Sequence, residues 1–293
     1  MGVNKNLSGE PLVGTDVPKV KVLSHNDNVL VLRFEGITPA FINSIRRALI
    51  SEVPTLAIDE VVFYNNDSVL WDEVLAHRLA LIPLKMGEET YDALRDCYEN
   101  QGNDCNVIFS LDEEAVERIK TVYSGHLRFE GIEGSVLSGE NFDIEPLSKK
   151  IPIVKLGRGQ KLKLTAIARM GVGKDHAKWQ PVSVAAYKFK PVIRIRRQPD
   201  EKTAEKIIKV CPRSVFGFSN GKLVVINENS CTLCRECQDK FPEYVSVSWD
   251  NSVAVFKVEG LGILPIQKIF EVAIDVLEKK VKNFVSLIEE KTK

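Results

Sequence analysis

Three evenly spaced cysteines, Cys231, Cys234 and Cys237, set the narrowest limit on what this chain can form, together with Cys211, which is followed by Pro212. A C-x2-C-x2-C loop can curl around one polynuclear centre so that each third residue turns its sulfur inward. A remote Cys-Pro then supplies the fourth thiolate, and the proline fixes the local turn. A 4Fe–4S cluster on Cys211, Cys231, Cys234 and Cys237 is expected, with a three-ligand 3Fe–4S form as the alternative. Zinc is not expected, because structural zinc sites are built from paired C-x2-C units rather than three equal steps. Six cysteines in 293 residues do not make a disulfide scaffold.

The stretch resembles a bacterial-type two-cluster ferredoxin that has lost one cluster. Run backwards from Cys211, the ferredoxin pattern asks for cysteines where Ile207, Ala204 and Glu201 stand. Run forwards from Cys237, it asks for Cys-Pro where Phe241-Pro242 stands. The four missing ligands all belong to one cluster of the interleaved pair, and the four present all belong to the other.

Composition removes several function classes. Lys+Arg and Asp+Glu both number 40. A zero net charge argues against a free-standing nucleic-acid binder, whose affinity comes from a basic surface, and against a polybasic membrane anchor. Hydrophobic residues at 44% allow a sizeable core, and the length suggests two or three domains. No apolar run approaches the ~18–20 residues that cross a bilayer. Met1–Pro18 lacks the apolar stretch of a signal peptide, so the expected compartment is the cytoplasm.

No catalytic constellation can be assembled. His25, His77, His126 and His176 are far apart and lack metal spacing. Gly171-Val-Gly173-Lys174-Asp175 lacks the spacing of a phosphate loop and carries Asp where the hydroxyl should be. No aspartate triad for catalytic Mg²⁺ is visible, so no catalytic residue is expected in this chain.

Local patterns give a coarse outline. A hairpin is expected from Lys19–Leu23 and Val29–Glu35, turned at His25–Asn28 by residues that tolerate left-handed backbone. Thr38 and Pro39 open a helix that Pro54 closes, with an apolar face on Phe41, Ile42, Ile45, Ala48, Leu49 and Val53. Residues 55–190 read as strand-rich, with alternation clearest over Lys161–Arg169 and Cys97–Cys105 in a polar loop. The charged stretch Arg197–Lys206 reads as a boundary. From Pro265, Ile266, Phe270, Ala273, Leu277, Val281, Phe284 and Ile288 mark a long helix. About 28 helical residues span ~42 Å, longer than a small domain needs, so the stripe either covers its own sheet or packs partly on another chain.

Several blocks together resemble the alpha-like, D-type component of archaeal DNA-directed RNA polymerase. That family is shared with the third-largest subunit of eukaryotic RNA polymerase II and the bacterial alpha N-terminal domain. The blocks are Val31–Gly36, Phe41–Leu49, Glu52–Val61, Ala76–Leu84, Val122–Gly125, Ile151–Leu156, Gly159–Leu162 and Gly173–Val182. The resemblance implies an α+β fold. Its alpha-like dimerisation domain is split over 17–53, 184–199 and 256–293. A β-rich insert domain occupies 54–183, and a ferredoxin-like iron–sulfur domain is inserted at 200–255.

The resemblance also implies pairing with the smaller subunit L, and docking of subunits N and P and the second-largest catalytic subunit on the same platform. Direct nucleic-acid contact and membrane contact are not expected. Phe41, Ile45, Leu49, Phe270, Leu277 and Phe284 are expected to carry the pairing. Arg46 and Arg47 match the motif's paired arginines and are expected to bridge to a partner or an internal acid. The eukaryotic counterpart binds zinc through four cysteines in the insert; here only Cys97 and Cys105 are present, as a disulfide or as two free thiols. The alternative function, a ferredoxin-type electron-transfer protein or redox-enzyme subunit, rests on 200–255 alone, without a second cluster or a flavin or nicotinamide signature.

Overall fold

The computed structural model describes residues 18–101, 105–132 and 142–292. The expected start of the first domain at Val17 and the loop residues Gly102–Asp104 lie outside them.

The chain is a mixed α+β structure. It opens with β1 (Lys19–His25) and β2 (Val29–Glu35). Asn26 ties their turn, its Oδ1 accepting from the N–H groups of Asn28 and Val29 at 3.0 and 2.7 Å. Helix α1 (Pro39–Ser51) begins where the Thr38 hydroxyl oxygen accepts from the Phe41 N–H at 3.2 Å. Next come β3 (Pro54–Asn66), α2 (Asp72–Ala80), β4 (Leu84–Met86), α3 (Glu88–Gln101), β5 (Val107–Glu114), β6 (Lys120–Tyr123) and β7 (Arg128–Ile132). They are followed by β8 (Ile144–Pro146), β9 (Pro152–Leu156), β10 (Lys161–Val172) and β11 (Val182–Ile195). The last part contains α4 (Glu201–Val210), β12 (Phe216–Ser219), β13 (Lys222–Val225), α5 (Glu236–Lys240), β14 (Val245–Gly260) and α6 (Ile266–Thr292).

Two four-stranded sheets, ordered β1-β2-β14-β11 and β3-β10-β5-β7, dominate, and β4–β8, β6–β9 and β12–β13 form two-stranded pairs. Period-2 patterning explains the long strands. In β10, Leu162, Leu164, Ala166 and Ala168 are buried while Lys163 is exposed. In β2, Leu30, Leu32 and Phe34 face inward.

The chain divides into two compact units. One contains Val31–Asn43 and Ala186–Lys257 with the described residues up to Ser24; the other contains His25–Leu30, Ser44–Ala185 and the chain from Val258. The first has an apolar core that includes Ala204, Ile207, Phe216, Leu223, Val245 and Val247. In the second, Tyr91, Leu75, Leu84, Leu94, Phe109 and Leu111 are fully buried, and the Tyr91 hydroxyl donates to the Pro54 carbonyl at 3.0 Å. Burial of that hydroxyl pushes its pKa upward.

Three helices correct the outline drawn from sequence. The middle of the chain holds α2 and α3 besides its strands. Cys97 lies on α3 rather than in a loop. From Glu201 the charged stretch folds into α4, capped by Asp200, whose carboxylate accepts from the Thr203 N–H at 3.4 Å. Ala204 and Ile207 give α4 its buried face, and its charges lie on the solvated side.

Helix α6 is 27 residues long, yet its buried residues, Ile266, Ile269, Val272 and Ala273, all lie in the first turns. Those turns are flanked by ion pairs. Lys268 meets Asp92 at 2.6 Å, Asp275 meets Arg95 at 3.5 Å and Lys279 meets Glu99 at 2.6 Å, all from α3, and Lys280 meets Glu52 at 2.7 Å. From Val281 onward the helix is exposed on every side.

Candidate cysteine centre and pairing surface

Helix α4 delivers the first cysteine, ending at Cys211, whose N–H donates to the Ile208 carbonyl at 3.3 Å. The chain then makes the β12–β13 hairpin, turned by Asn220-Gly221 with φ of 51° and 71°. Positive φ at both central residues is what the tightest hairpin turn demands, and Asn-Gly supplies it at least cost. This returns the chain to the turn before Cys231.

Between the cysteines the backbone is strained. Leu233 and Arg235 sit at φ of 60° and 61°, and Ser214, just past Cys211, at 49°. A non-glycine residue held there costs on the order of 1–3 kcal/mol and persists only where its surroundings over-determine it. The left-handed steps curl the loop so that the Leu233 N–H donates to the Cys231 sulfur at 3.4 Å. Cys237 follows on α5.

All four cysteines line one small pocket, with Ile193, Phe216, Arg213 and Arg235 among its walls. Cys231 and Cys237 are buried, Cys211 is half-buried and Cys234 is exposed. Burial pushes the Cys237 thiol up to about 11 and raises that of Cys231. Among the described residues no three Cys, His, Asp or Glu side chains converge so as to hold a single metal ion. Four thiols around one pocket are a different arrangement: a polynuclear cluster holds its thiolates farther apart than one ion does. The donor chemistry and the strained loop fit such a group. At the positions where a second cluster would need thiols, Ala204 and Ile207 are instead buried in the apolar core.

Side chains distant in sequence fasten the loop to β11. The Lys188 ammonium donates to the Asn229 and Cys231 carbonyls at 2.6 and 3.2 Å. The Glu228 carboxylate accepts from the Ile193 N–H at 3.0 Å. Desolvation lowers the Lys188 pKa. Sequence reading missed both Lys188 and Glu228, because their partners are backbone groups that leave no motif.

The expected pairing residues fall into three groups. Ile45 and Leu49 are enclosed in the chain's own core, at 1% and 0% exposure, and are not available to a partner. Phe270 and Leu277 are half-buried. Phe41 and Phe284 are exposed, at 44% and 65%, and Val281, Val285, Leu287 and Ile288 extend the exposed set around Phe284. Arg46 is half-buried and Arg47 is exposed. Cys97 and Cys105 are joined in a disulfide with Cα atoms 6.2 Å apart, fastening α3 to the start of β5.

No helix among the described residues is long and apolar enough to cross a membrane. Residues 58–186, which contain β5, β7 and β10, match the family described as the RNA polymerase Rpb3/RpoA insert domain, and the mixed α+β fold fits that alpha-like class. DNA-directed RNA polymerase subunit Rpo3 of Methanosphaera stadtmanae is 35% identical over 277 residues, covering 92% of this chain and 98% of that one. Subunit Rpo3 of Pyrococcus horikoshii is likewise 35% identical, over 92% of this chain and 98% of its own. Subunit rpac1 of RNA polymerases I and III from Dictyostelium discoideum is 32% identical over 89% of this chain and 79% of its own. The chain belongs to the Rpo3/Rpb3 family of DNA-directed RNA polymerase subunits.

Proposed function

We propose that this chain is a non-catalytic assembly platform of its polymerase. It pairs with a smaller subunit of the L type and offers docking faces to subunits N and P and the second-largest catalytic subunit. The observation that carries the reading is the outer half of α6. An apolar set comprising Val281, Phe284, Val285, Leu287 and Ile288 stands in solvent, 46–65% exposed. Obligate interfaces are large and resemble a core cut in half, and such a helix end is half of one. The reading divides the chain into a split dimerisation domain, an insert at 54–183 and a cysteine-bearing insertion at 200–255.

The second part of the proposal is one iron–sulfur cluster held by Cys211, Cys231, Cys234 and Cys237. The 3Fe–4S form with three ligands is the alternative to 4Fe–4S. A bound cluster would crosslink α4, the loop and α5. The free thiols would have to ionise to bind it, and burial of Cys231 and Cys237 opposes that in the metal-free chain. The polymerase relatives do not favour a free-standing electron carrier.

Anaerobic co-expression with an archaeal subunit L, then size exclusion with iron and sulfide analysis of the peak, tests both parts. A one-to-one complex with about four irons is expected, and about three would select the three-ligand form. A monomer that ignores subunit L would overturn the platform reading, and a one-to-one complex without iron or sulfide would overturn the cluster alone.

A further inference from the structure

We propose that Lys188 is the positioning residue of the cysteine centre: from β11 its ammonium clamps the main chain at the first cysteine of the run and sets a positive charge against the thiolate set. The inference rests on the cluster reading given above. Two bonds make the clamp, from Lys188 Nζ to the carbonyl oxygens of Asn229 at 2.6 Å and Cys231 at 3.2 Å. The bond from the Ile193 N–H to the Glu228 carboxylate adds a second fastening to the same strand. The turn that launches the loop is thereby held to β11 from both sides, which is how strained residues such as Leu233 and Arg235 can be kept in place.

The charge argues further than the clamp. Lys188 is half-buried, and a lysine so placed ordinarily meets a carboxylate. Its titratable neighbours are Cys231 and Arg213, and among the described residues no carboxylate pairs with it. Arg213 and Arg235 line the pocket that the thiols share, and the one carboxylate in its wall, Glu236, is paired with Lys240 at 2.6 Å. A cluster carrying several thiolates is net negative, and it is the missing counter-charge.

The test compares the full chain with Lys188→Met and Lys188→Arg after anaerobic reconstitution with iron and sulfide. Three quantities are read: amide exchange over 228–237 in the metal-free chain, iron lost to a chelator, and the midpoint potential. For Lys188→Met, exchange and iron loss are expected to rise several-fold. The midpoint is expected to fall, because the more negative reduced cluster loses its compensating cation. Lys188→Arg is expected to restore the potential, which repair of packing alone would not do. A Lys188→Met chain that exchanges, keeps iron and titrates like the parent overturns the assignment. Faster exchange with an unmoved potential overturns the charge role and leaves only the clamp. If the parent chain takes up no iron and sulfide, the cluster reading falls separately, and exchange in the metal-free chain decides the clamp by itself.

Discussion

At Gly173 an added methyl would collide with the Ile50 carbonyl oxygen, and at Gly171 with the ring of Trp179. Neither neighbour can yield easily. Ile50 belongs to α1, and Trp179 is fixed at both ends: its Nε1–H donates to the Arg169 carbonyl at 3.0 Å, and its own carbonyl accepts from the Thr55 hydroxyl at 2.7 Å. Gly173→Ala is therefore expected to destabilise the chain by about 1–3 kcal/mol, the usual cost of overpacking, read as a lower urea midpoint. An unchanged midpoint would mean that the turn and α1 are not in contact. This pair of glycines was visible in the sequence only as a failed phosphate loop, because a close approach to a distant carbonyl or ring has no signature in residue type. The cysteines were legible for the opposite reason: their chemistry is carried by identity and spacing alone. Lys188 was not, since it meets Cys231 across 43 residues through a main-chain carbonyl.

At the element scale, strands and helices with a long single period could be read directly. The alternation of β2 and β10 is kept in full, and α6 forms as a helix whose stripe is buried only in its first turns. What misled was low apolar content. Helix α3 buries Thr90, Tyr91, Leu94 and Cys97 at helical spacing, but its charged residues hid the stripe. Those charges have a use, because they form the ion-pair ladder along α6. Exposed pairs stabilise by at most about 1 kcal/mol each, so the ladder orients the helix more than it stabilises the fold. Glu99 is held below the ordinary glutamate range, first by the hydrogen bond from Lys279 and then by Arg95. A carboxylate depressed in the folded state adds stability that is complete above its unfolded pKa and is lost as pH falls through the folded value. As pH falls through and below the ordinary glutamate range, Glu99→Gln should flatten the acid-side decline of the urea midpoint, and at neutral pH it should weaken the midpoint's salt dependence. Identical acid limbs for variant and parent would remove Glu99 from the ladder.

At the scale of the whole molecule, the periodicity of α1 and α6 announced apolar faces but not what covers them. Ile45 and Leu49 turn inward while Phe284 stands in solvent, and only three-dimensional structure separates the two. Phe284→Asp should therefore leave the isolated chain's stability within about 0.5 kcal/mol. It should weaken pairing with subunit L by about 2 kcal/mol or more, roughly 30-fold, if Phe284 is an interface anchor. Size exclusion and a binding titration on the same preparation check both halves. Retained pairing would place the interface elsewhere, and a lost fold would place Phe284 in the chain's own core.

The chain leaves the first sheet at Ile195 on β11 and re-enters it at Val245 on β14, and these strands are neighbours. Everything between, the cysteine loop included, is thus a detour between adjacent strands. Loop length weighs only logarithmically on closure, so the detour behaves as a cassette: a lineage could shorten it to a plain turn or keep it with its thiols, without redrawing the sheet that carries it.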